Sequence, residues 1–420
     1  MTPAVKPFAV RDRDVSYVVI ELFGGDNNLA DWVEDDLDEM AAGMKGSVAT
    51  LALIDTSEGE GQVVEVTPRG RKVLEKLGEI DTGDPETLAQ FLARALVTYR
   101  SNHQALGFWD HGSGVFDEDD PDEVILDRAT REGLLAGANV RAIRRGTKRR
   151  SRHLFTGRIE KEDDAAIGPS LRAMLQDDTN GGILTNYEAH GVVKAAFARA
   201  GRTRKLDLIF SDTCLNGMIE VVDQFKRFAT VIVGSEALEP GDGWDYARFF
   251  GSMAAQPPRS AAAWGSIAVS AFEQGYLDRP EEYPCTLAAF RTRNTLTSSF
   301  KRFVDAARPL GDNGFGMLSL ARARSQRFAD EDSFDLRDFA ERVGATGPTQ
   351  LRKPAQAIVS AFDKACIRNT ALGAKVANAR GLAFWFPGDR QSFEDVGGTY
   401  ANLSFASRTG WADYLAKQYA

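Results

Sequence analysis

The chain has 420 residues, of which 43% are hydrophobic and 26% are charged, as in a globular protein with one large domain or two of medium size. Its net charge of −9 argues against nucleic acid as the main partner. No apolar run approaches the roughly 20 residues of a membrane-spanning helix, which argues against a membrane partner.

The cysteines and the first residues of the chain indicate the cellular compartment of the protein. Three cysteines, Cys214, Cys285 and Cys366, are too scattered for a disulfide framework and form no zinc motif. The first residues lack the basic and apolar pattern of a signal peptide. We therefore expect a cytoplasmic protein with reduced thiols.

Strands and helices alternate between residues 15 and 250, after an expected N-terminal tail at 1–14. Apolar runs typical of buried strands lie at 17–23, 48–55, 105–110, 206–210 and 230–235, with a hairpin at 62–67 and 71–77. Apolar residues recur at helical spacing in 29–44, 84–99 and 185–199. The alternation predicts an α/β domain with a mainly parallel sheet flanked by helices.

Two parts of the chain depart from this alternation. Residues 115–182 have no clear periodicity, which in a compact domain indicates a functional or disordered segment, here an activation or linker region. Residues 251–420 are mostly helical in pattern, with one predicted strand at 381–386. This half is expected to pack on the first, either as a second domain or as a helical layer.

Three predicted strands end in polar residues, at Asp26-Asn27-Asn28, Asp110-His111-Gly112 and Asp212-Thr213-Cys214. Because parallel strands end at one edge of a sheet, where ligands bind, His111 and Cys214 should lie close together. A cysteine and a histidine are the minimum for nucleophilic acyl transfer, and the Gly112 and Cys214 amides are candidate oxyanion donors. A helix opening behind Cys214 would favour its thiolate. The alternative is that Cys214 is a buried structural cysteine and that Gly112 serves only to form a turn.

Six motifs together resemble a known family. They are FGGDNNL at 23–29, FWDHGSG at 108–114, DLIFSDTCLNGMIEV at 207–221, VIVGSEALEPGDGWDY at 231–246, GLAFWFPG at 381–388 and YANLSFASRTGWADYL at 400–415. In this order they resemble the clostripain family of cysteine peptidases. The resemblance implies a caspase-like fold, a catalytic dyad of His111 and Cys214, an oxyanion hole at Gly112 and Cys214, and chemistry that requires no cofactor.

The resemblance also implies cleavage of protein or peptide substrates after arginine or lysine. Asp212, two residues before the nucleophile, is expected at the bottom of the specificity pocket, where a carboxylate can pair with a guanidinium. A role in orienting the loop is the alternative. Asp242 is a second candidate for the pocket, and Glu236 and Trp244 are expected to shape its wall. Asn216 departs from the family pattern, which has an apolar residue there.

A basic run between the two catalytic residues suggests regulation. Residues 141–152 hold seven basic side chains and no acid, in an interval where family members are often cut. An exposed basic loop is a substrate for such a protease, so we expect it to obstruct the cleft until autocleavage. The candidate cleavage positions are Arg144, Arg145, Lys148, Arg149, Arg150 and Arg152. The alternatives are a docking patch for nucleic acid or an acidic partner, or a solvated loop. A small-molecule or protein activator is a further expectation.

The acidic run at 117–123 invites a calcium interpretation, because clostripain itself depends on calcium. The run lacks the spacing of a dedicated calcium loop, and a solvated face or a docking surface for the basic loop fits it better. Two rival functions remain. A caspase-like signalling or binding module with little proteolysis is disfavoured by the intact Cys–His pair. A flavodoxin-like nucleotide-binding protein is disfavoured because no phosphate-binding glycine loop follows a strand.

Overall fold

The computed structural model describes residues 5–57, 59–112, 174–329 and 332–420. The candidate cleavage positions and the acidic run at 117–123 lie outside the described residues. Strands occur in the order β1 (Tyr17–Gly25), β2 (Val48–Thr56), β3 (Gly61–Thr67), β4 (Gly70–Gly78), β5 (His103–Trp109), β6 (Leu175–Asp177), β7 (Gly182–Leu184), β8 (Leu206–Asp212), β9 (Ala229–Gly234), β10 (Cys285–Arg291), β11 (Ser333–Asp335), β12 (Cys366–Leu372) and β13 (Ala383–Trp385).

The described helices are α1 (Ala30–Gly43), α2 (Pro85–Thr98), α3 (Asn186–Arg199), α4 (Ile219–Phe225), α5 (Tyr246–Ala255), α6 (Ala261–Tyr276), α7 (Leu296–Ala307), α8 (Gly311–Arg322), α9 (Leu336–Thr346), α10 (Thr349–Ala365), α11 (Arg390–Tyr400), α12 (Ser404–Thr409) and α13 (Trp411–Tyr419). The predicted capping box at the start of α3 is present, with Thr185 and Glu188 each accepting the other's backbone N–H. None of the described helices is long and apolar enough to cross a membrane.

A sheet of nine strands lies at the centre of the described chain, in the order β12-β10-β9-β8-β5-β1-β2-β3-β4. The five strands from β9 to β2 are parallel, while β10 and β12 on one side and β3 and β4 on the other run antiparallel to their neighbours. The predicted fold class is confirmed, since a mainly parallel centre is flanked by helices as in the caspase-like fold.

Both faces of the sheet are covered, which explains the continuous apolar run of β1. Val18, Ile20 and Leu22 face one core, and Val19 and Phe23 face the other. The first core includes residues of α2, α3, α4, α7, α9, α10 and α13, and the second includes residues of α1, α5 and α6. A strand buried on both faces needs apolar residues at nearly every position.

The C-terminal half differs from the expectation of one late strand. Two further strands, β10 and β12, hydrogen-bond into the central sheet, so a boundary at residue 250 would cut through that sheet. The expected late strand is shorter, and β13 pairs with β11 rather than with the central strands. In addition, β6 lies within the range 115–182 that was expected to be irregular, and it forms a hairpin with β7, which begins at the last residue of that range.

The segment after Cys214 is tied to this C-terminal half by a buried carboxyl group. Glu220 Oε1 accepts hydrogen bonds from the Trp385 amide at 3.1 Å and from the Tyr400 hydroxyl at 2.8 Å. Burial raises the pKa of Glu220 to about 7 even though both donors favour its charged form. The two donors therefore offset a cost that the carboxyl would otherwise impose on folding.

We predict that Tyr400→Phe lowers the free energy of unfolding by about 1–3 kcal/mol, because a buried carboxyl loses a donor while the ring is retained. Urea denaturation followed by circular dichroism measures the change. Tyr187→Phe is the matched control, since Tyr187 is 51% exposed and should change stability by less than about 0.5 kcal/mol. Equal effects of the two substitutions would contradict the role assigned to the Glu220 contact.

Candidate active site

The register of β5 and β8 brings His111 and Cys214 to equivalent positions. Trp109 pairs with Asp212 at the end of the two parallel strands, so His111 and Cys214 each lie two residues beyond that pair. Neighbouring strands are about 4.8 Å apart, and both side chains line one cavity. The structure therefore brings the two predicted catalytic residues together at the carboxyl edge of the sheet.

Gly112 packs directly on the main chain of Cys214. A Cβ atom at Gly112 would lie 2.2 Å from the carbonyl oxygen of Cys214 and 2.8 Å from its amide nitrogen. Because no side chain fits there, packing requires glycine at this position, and formation of a turn alone does not account for it. The contact places the two amides that were predicted to form the oxyanion hole next to each other.

The imidazole of His111 is hydrogen-bonded to the side chain of Asn28. The Nε2 atom of His111 lies 2.7 Å from Oδ1 of Asn28, so Nε2 carries the proton that this oxygen accepts. Burial lowers the pKa of His111 to about 4, which keeps the ring neutral at pH 7. In this tautomer Nδ1 is unprotonated and can accept a proton from a thiol.

Asp110 organises the loop that carries His111. Its carboxyl group accepts the His111 amide at 2.5 Å and the Asn27 side-chain amide at 2.8 Å, and it also accepts the Gln176 amide. Burial raises the pKa of Asp110 well above its ordinary value, although all three donors favour the ionised form. The histidine is thereby fixed to β1 and to the β6 segment.

The environment of Cys214 differs from the expectation in one respect. Helix α4 begins only at Ile219, so Cys214 does not lie at its N-terminus, and the expected help from the helix dipole is absent. Instead, the Glu239 amide donates a hydrogen bond of 3.3 Å to Sγ of Cys214. Leu215, directly after the cysteine, has φ of 58°, a left-handed conformation that non-glycine residues adopt at a cost.

A group of acidic side chains lies at the bottom of the cavity. The Asp212 carboxyl accepts the Tyr246 hydroxyl at 2.9 Å and the Trp244 amide at 3.3 Å, and Glu239 lines the same cavity. Burial raises the pKa of Asp212 to about 6 and that of Glu239 well above its ordinary value. With a pKa of about 6, Asp212 is mostly ionised at pH 7 and gives the cavity negative charge.

The other predicted pocket residues occupy different positions. Trp244 is buried beneath the pocket, where its ring stacks on Phe210 at a centroid distance of 5.0 Å. Asp242 is exposed at the rim, between two glycines that line the cavity. Glu236 does not line the cavity as expected, and its buried carboxyl instead accepts the Gly381 amide at 2.6 Å.

The unexpected Asn216 has a structural role. Its Nδ2 donates to Oγ1 of Thr213 at 2.6 Å, and its Oδ1 accepts from the side chain of Asn186 at 3.1 Å. All three side chains are buried, so the amide closes a polar network around the loop of Cys214. An apolar residue would leave Thr213 and Asn186 without these partners.

Sequence reasoning assigned no role to Asn28, Glu239 or Asp36, all of which lie at the site. Asn28 belongs to the polar residues that follow the first predicted strand, and Glu239 lies in the family-like motif at 231–246. The sequence therefore marked both positions without indicating their roles. Asp36 lines the cavity from α1, where its carboxyl accepts the Trp109 indole N–H at 2.6 Å. Nothing in the helical pattern of α1 distinguished Asp36 from its acidic neighbours.

Comparisons with known proteins agree with this architecture. The sequence profile of the clostripain family matches residues 22–129 and 157–417. The fold is similar to a secreted C11 cysteine protease from Bacteroides thetaiotaomicron in complex with an irreversible peptide inhibitor, with a TM-score of 0.63 and 14% identity over 94% of this chain and 99% of that one. It is also similar to an inactive zymogen C11 protease from Parabacteroides distasonis, with a TM-score of 0.63 and 16% identity over 95% and 99% of the two chains. No curated protein matches the sequence significantly.

We predict that Asn28→Ala slows alkylation of Cys214 by iodoacetamide at pH 7 by about tenfold or more, because His111 loses the contact that positions its ring. Asn28→Asp should raise the pKa of His111, since a carboxylate opposite Nε2 favours the imidazolium. The pH profile of the alkylation rate measures both effects. Cys285 and Cys366 contribute little to the signal, because burial raises their pKa values to about 12 and about 11. Unchanged profiles in both variants would contradict the role of Asn28.

Proposed function

This chain belongs to the clostripain family and is a cysteine peptidase, and we propose that it cleaves peptide bonds on the carboxyl side of arginine or lysine. The observation that carries the proposal is the Asp212 carboxyl, 5% exposed, at the bottom of the cavity whose rim holds His111 and Cys214. A guanidinium or ammonium group entering this cavity would meet a carboxylate that has two hydrogen-bond donors but no lysine or arginine partner among the described residues lining the cavity.

In the proposed reaction, Nδ1 of His111 takes the thiol proton and Sγ of Cys214 attacks the carbonyl carbon of the bond to be cleaved. The amides of Gly112 and Cys214 donate hydrogen bonds to the oxyanion. His111 then returns the proton to the departing amine, which leaves a thioester between substrate and Cys214. Water, activated by His111, hydrolyses the thioester and restores the thiol.

A second cavity supports binding of an extended peptide. It encloses about 440 Å³ and shares the segment 239–241 with the cavity below Cys214. Tyr283, Phe328 and Val376 supply apolar surface on its other sides. Residues of a substrate next to the cleaved bond can occupy this space while a basic side chain enters the acidic cavity.

We further propose that activity is gated by cleavage of the chain within residues 141–152. The acidic cavity encloses about 40 Å³, room for a few water molecules and too little for an arginine side chain in this conformation. A relative of the same fold is described as an inactive zymogen. The basic residues between His111 and Cys214 match the specificity proposed for the pocket, which makes the chain a substrate for itself.

We predict that Asp212→Asn lowers kcat/KM for an arginyl peptide by about 100-fold or more, since the substrate cation loses its charged partner. The matched peptide with citrulline, which is neutral, should be affected far less. Asp242→Asn is the control variant and should change kcat/KM for arginine by less than about threefold, because the rim carboxyl is exposed and screened. Equal losses for both peptides would contradict the pocket assignment.

The same pair of peptides yields a pH test. As the pH falls through about 6, Asp212 takes up a proton and the pocket loses its charge, so the arginine-to-citrulline ratio of kcat/KM should fall by about tenfold per pH unit below the pKa. His111 remains neutral in this range, because its pKa is about 4. A ratio that is constant between pH 7.5 and 5 would contradict the proposal.

Mass spectrometry of the purified wild type beside Cys214→Ala tests the gating proposal. We expect fragments that end at one of the basic residues in 141–152 in the wild type, and an intact chain in the variant. Substituting all seven basic residues of this range by glutamine should preserve the intact chain and reduce activity. Intact wild-type protein with full activity would contradict autocleavage as the gate.

A further inference from the structure

The larger cavity beside the acidic one is built by loops from distant parts of the chain. Four segments line its space of about 440 Å³, namely 237–241, 282–284, 327–329 and 375–376. The first follows β9, and the other three lie between α6 and β10, between α8 and β11, and between β12 and β13. Three of the four walls of this space therefore come from residues 251–420.

Hydrogen bonds brace these loops against one another. Gln326 donates through Nε2 to the Lys375 carbonyl at 2.9 Å, and its Oε1 accepts the Asn378 amide at 3.2 Å. The Glu281 carboxyl accepts the Ala374 amide at 3.1 Å. These bonds join the loops before β10 and β11 to the segment after β12. Walls that are fixed in this way hold the shape of the cavity before a ligand arrives, which lowers the cost of binding.

The lining of this cavity is mainly apolar. Phe328 and Val376 are buried, and Leu238, Tyr283 and Pro284 are half-buried. All five side chains line the space, which opens beside the segment next to Cys214. An apolar group that enters the space removes this surface from water, and the hydrophobic effect favours its binding.

Three charged residues complete the lining. Arg327 and Lys375 are basic, Glu282 is acidic, and all three are exposed. Because positive charges outnumber negative ones here, a lysine or arginine side chain is disfavoured in this space. The two neighbouring cavities therefore differ in the side chains that they accept, since one is acidic and the other is apolar with a basic border.

The positions of the two cavities match consecutive residues of a substrate. Both cavities are lined by Glu239, Pro240 and Gly241, which form their common wall. Consecutive residues of an extended chain are about 3.3 Å apart, and their side chains point to opposite sides. A peptide with a basic side chain in the acidic cavity therefore directs the preceding side chain to the other side of this wall.

We propose that this larger cavity is a specificity subsite for a large apolar side chain of the substrate, and we call it the apolar subsite. The side chain belongs to the residue immediately before the one whose carbonyl carbon Cys214 attacks. The assignment rests on the proposed function, since it takes the basic side chain to lie in the acidic cavity. It adds a requirement to substrate choice, because the preferred sequence becomes a large apolar residue followed by arginine or lysine.

Digestion of a peptide library of random sequence by the wild-type enzyme tests the two cavities separately. Mass spectrometry identifies the last two residues before each cleaved bond. At the second-last position we expect large apolar residues to be enriched by about fivefold or more over alanine, with lysine and arginine depleted. No such enrichment would overturn the apolar subsite. Absence of arginine and lysine from the last position would contradict only the proposal for the acidic cavity.

Two peptides that differ at one residue, with Phe-Arg or Ala-Arg before the cleaved bond, measure the size of the preference. In the wild type, kcat/KM should be about tenfold or more higher for the Phe-Arg peptide, because its ring covers the apolar lining. Equal values for the two peptides would overturn the apolar subsite. The ratio of the two values is the readout, so a general loss of activity does not imitate the effect.

Variants of the lining connect this ratio to the cavity. Ala329→Phe fills the space with a side chain of the enzyme and should lower the ratio to below about threefold. If this variant fails to fold, Tyr283→Ala removes apolar wall and should lower the ratio in the same direction. Ala401→Phe is the matched control, since Ala401 is exposed and lies outside the cavity, and it should keep the wild-type ratio. A wild-type ratio in both cavity variants would overturn the assignment, as would an equal fall in the control.

The apolar subsite also ranks the candidate cleavage positions in the basic run. Arg144 follows the apolar Ile143, whereas a basic residue precedes each of three other candidates, Arg145, Arg149 and Arg150. An acetylated synthetic peptide with the sequence of residues 142–152 should therefore be cut after Arg144 before it is cut at those three positions. A time course followed by mass spectrometry gives the order. A first cut after a residue that a basic side chain precedes would overturn the subsite.

Discussion

The close approach of the main chains at Gly112 and Cys214 is the constraint on which the rest of the site depends. The contact exists only because residue 112 lacks a side chain and because β5 and β8 are parallel neighbours in register. It places an imidazole, a sulfur and two backbone amides within one small volume. The loops at this edge are then fixed by the Asp110 carboxyl, which joins β1, β5 and the β6 segment through three hydrogen bonds.

The same sheet edge concentrates negative charge on both sides of the histidine. Asp212 and Glu239 lie on one side and line the same cavity, while Asp26 and Asp55 lie on the other without donors among the described residues. Buried carboxylates destabilise a fold unless a cation or a proton compensates them. The proposed substrate preference has this physical origin, since a basic substrate side chain would supply positive charge to the carboxyl groups on the Asp212 side. His111, with its pKa lowered by burial, lies between the two groups as a neutral base.

Much of the fold was predictable because its central strands are buried on both faces and show continuous apolar runs. The pairing of His111 with Cys214 followed from strand ends alone. Sequence reasoning failed where local pattern and final environment differ. Strand β12, CIRNTAL, is interrupted by the polar residues Arg368, Asn369 and Thr370, is mostly half-buried, and joins the sheet through its neighbour β10. Asn28 and Glu239 gain their roles only through contacts with distant residues, and no local pattern reports such contacts.

The C-terminal half explains how a strained nucleophile loop remains in place. Leu215 adopts a left-handed conformation, which persists only when the surrounding structure determines it. Its amide bonds to Ala237, and two residues later Gly217 bonds to Ser235 and accepts the Ala383 amide at 2.8 Å. Glu220 then fixes the following helix to the same C-terminal segment. Strand β13 and helix α11 therefore belong to the machinery that presents Cys214, because without them Gly217 would lose the Ala383 amide and Glu220 would lose the Trp385 amide and the Tyr400 hydroxyl.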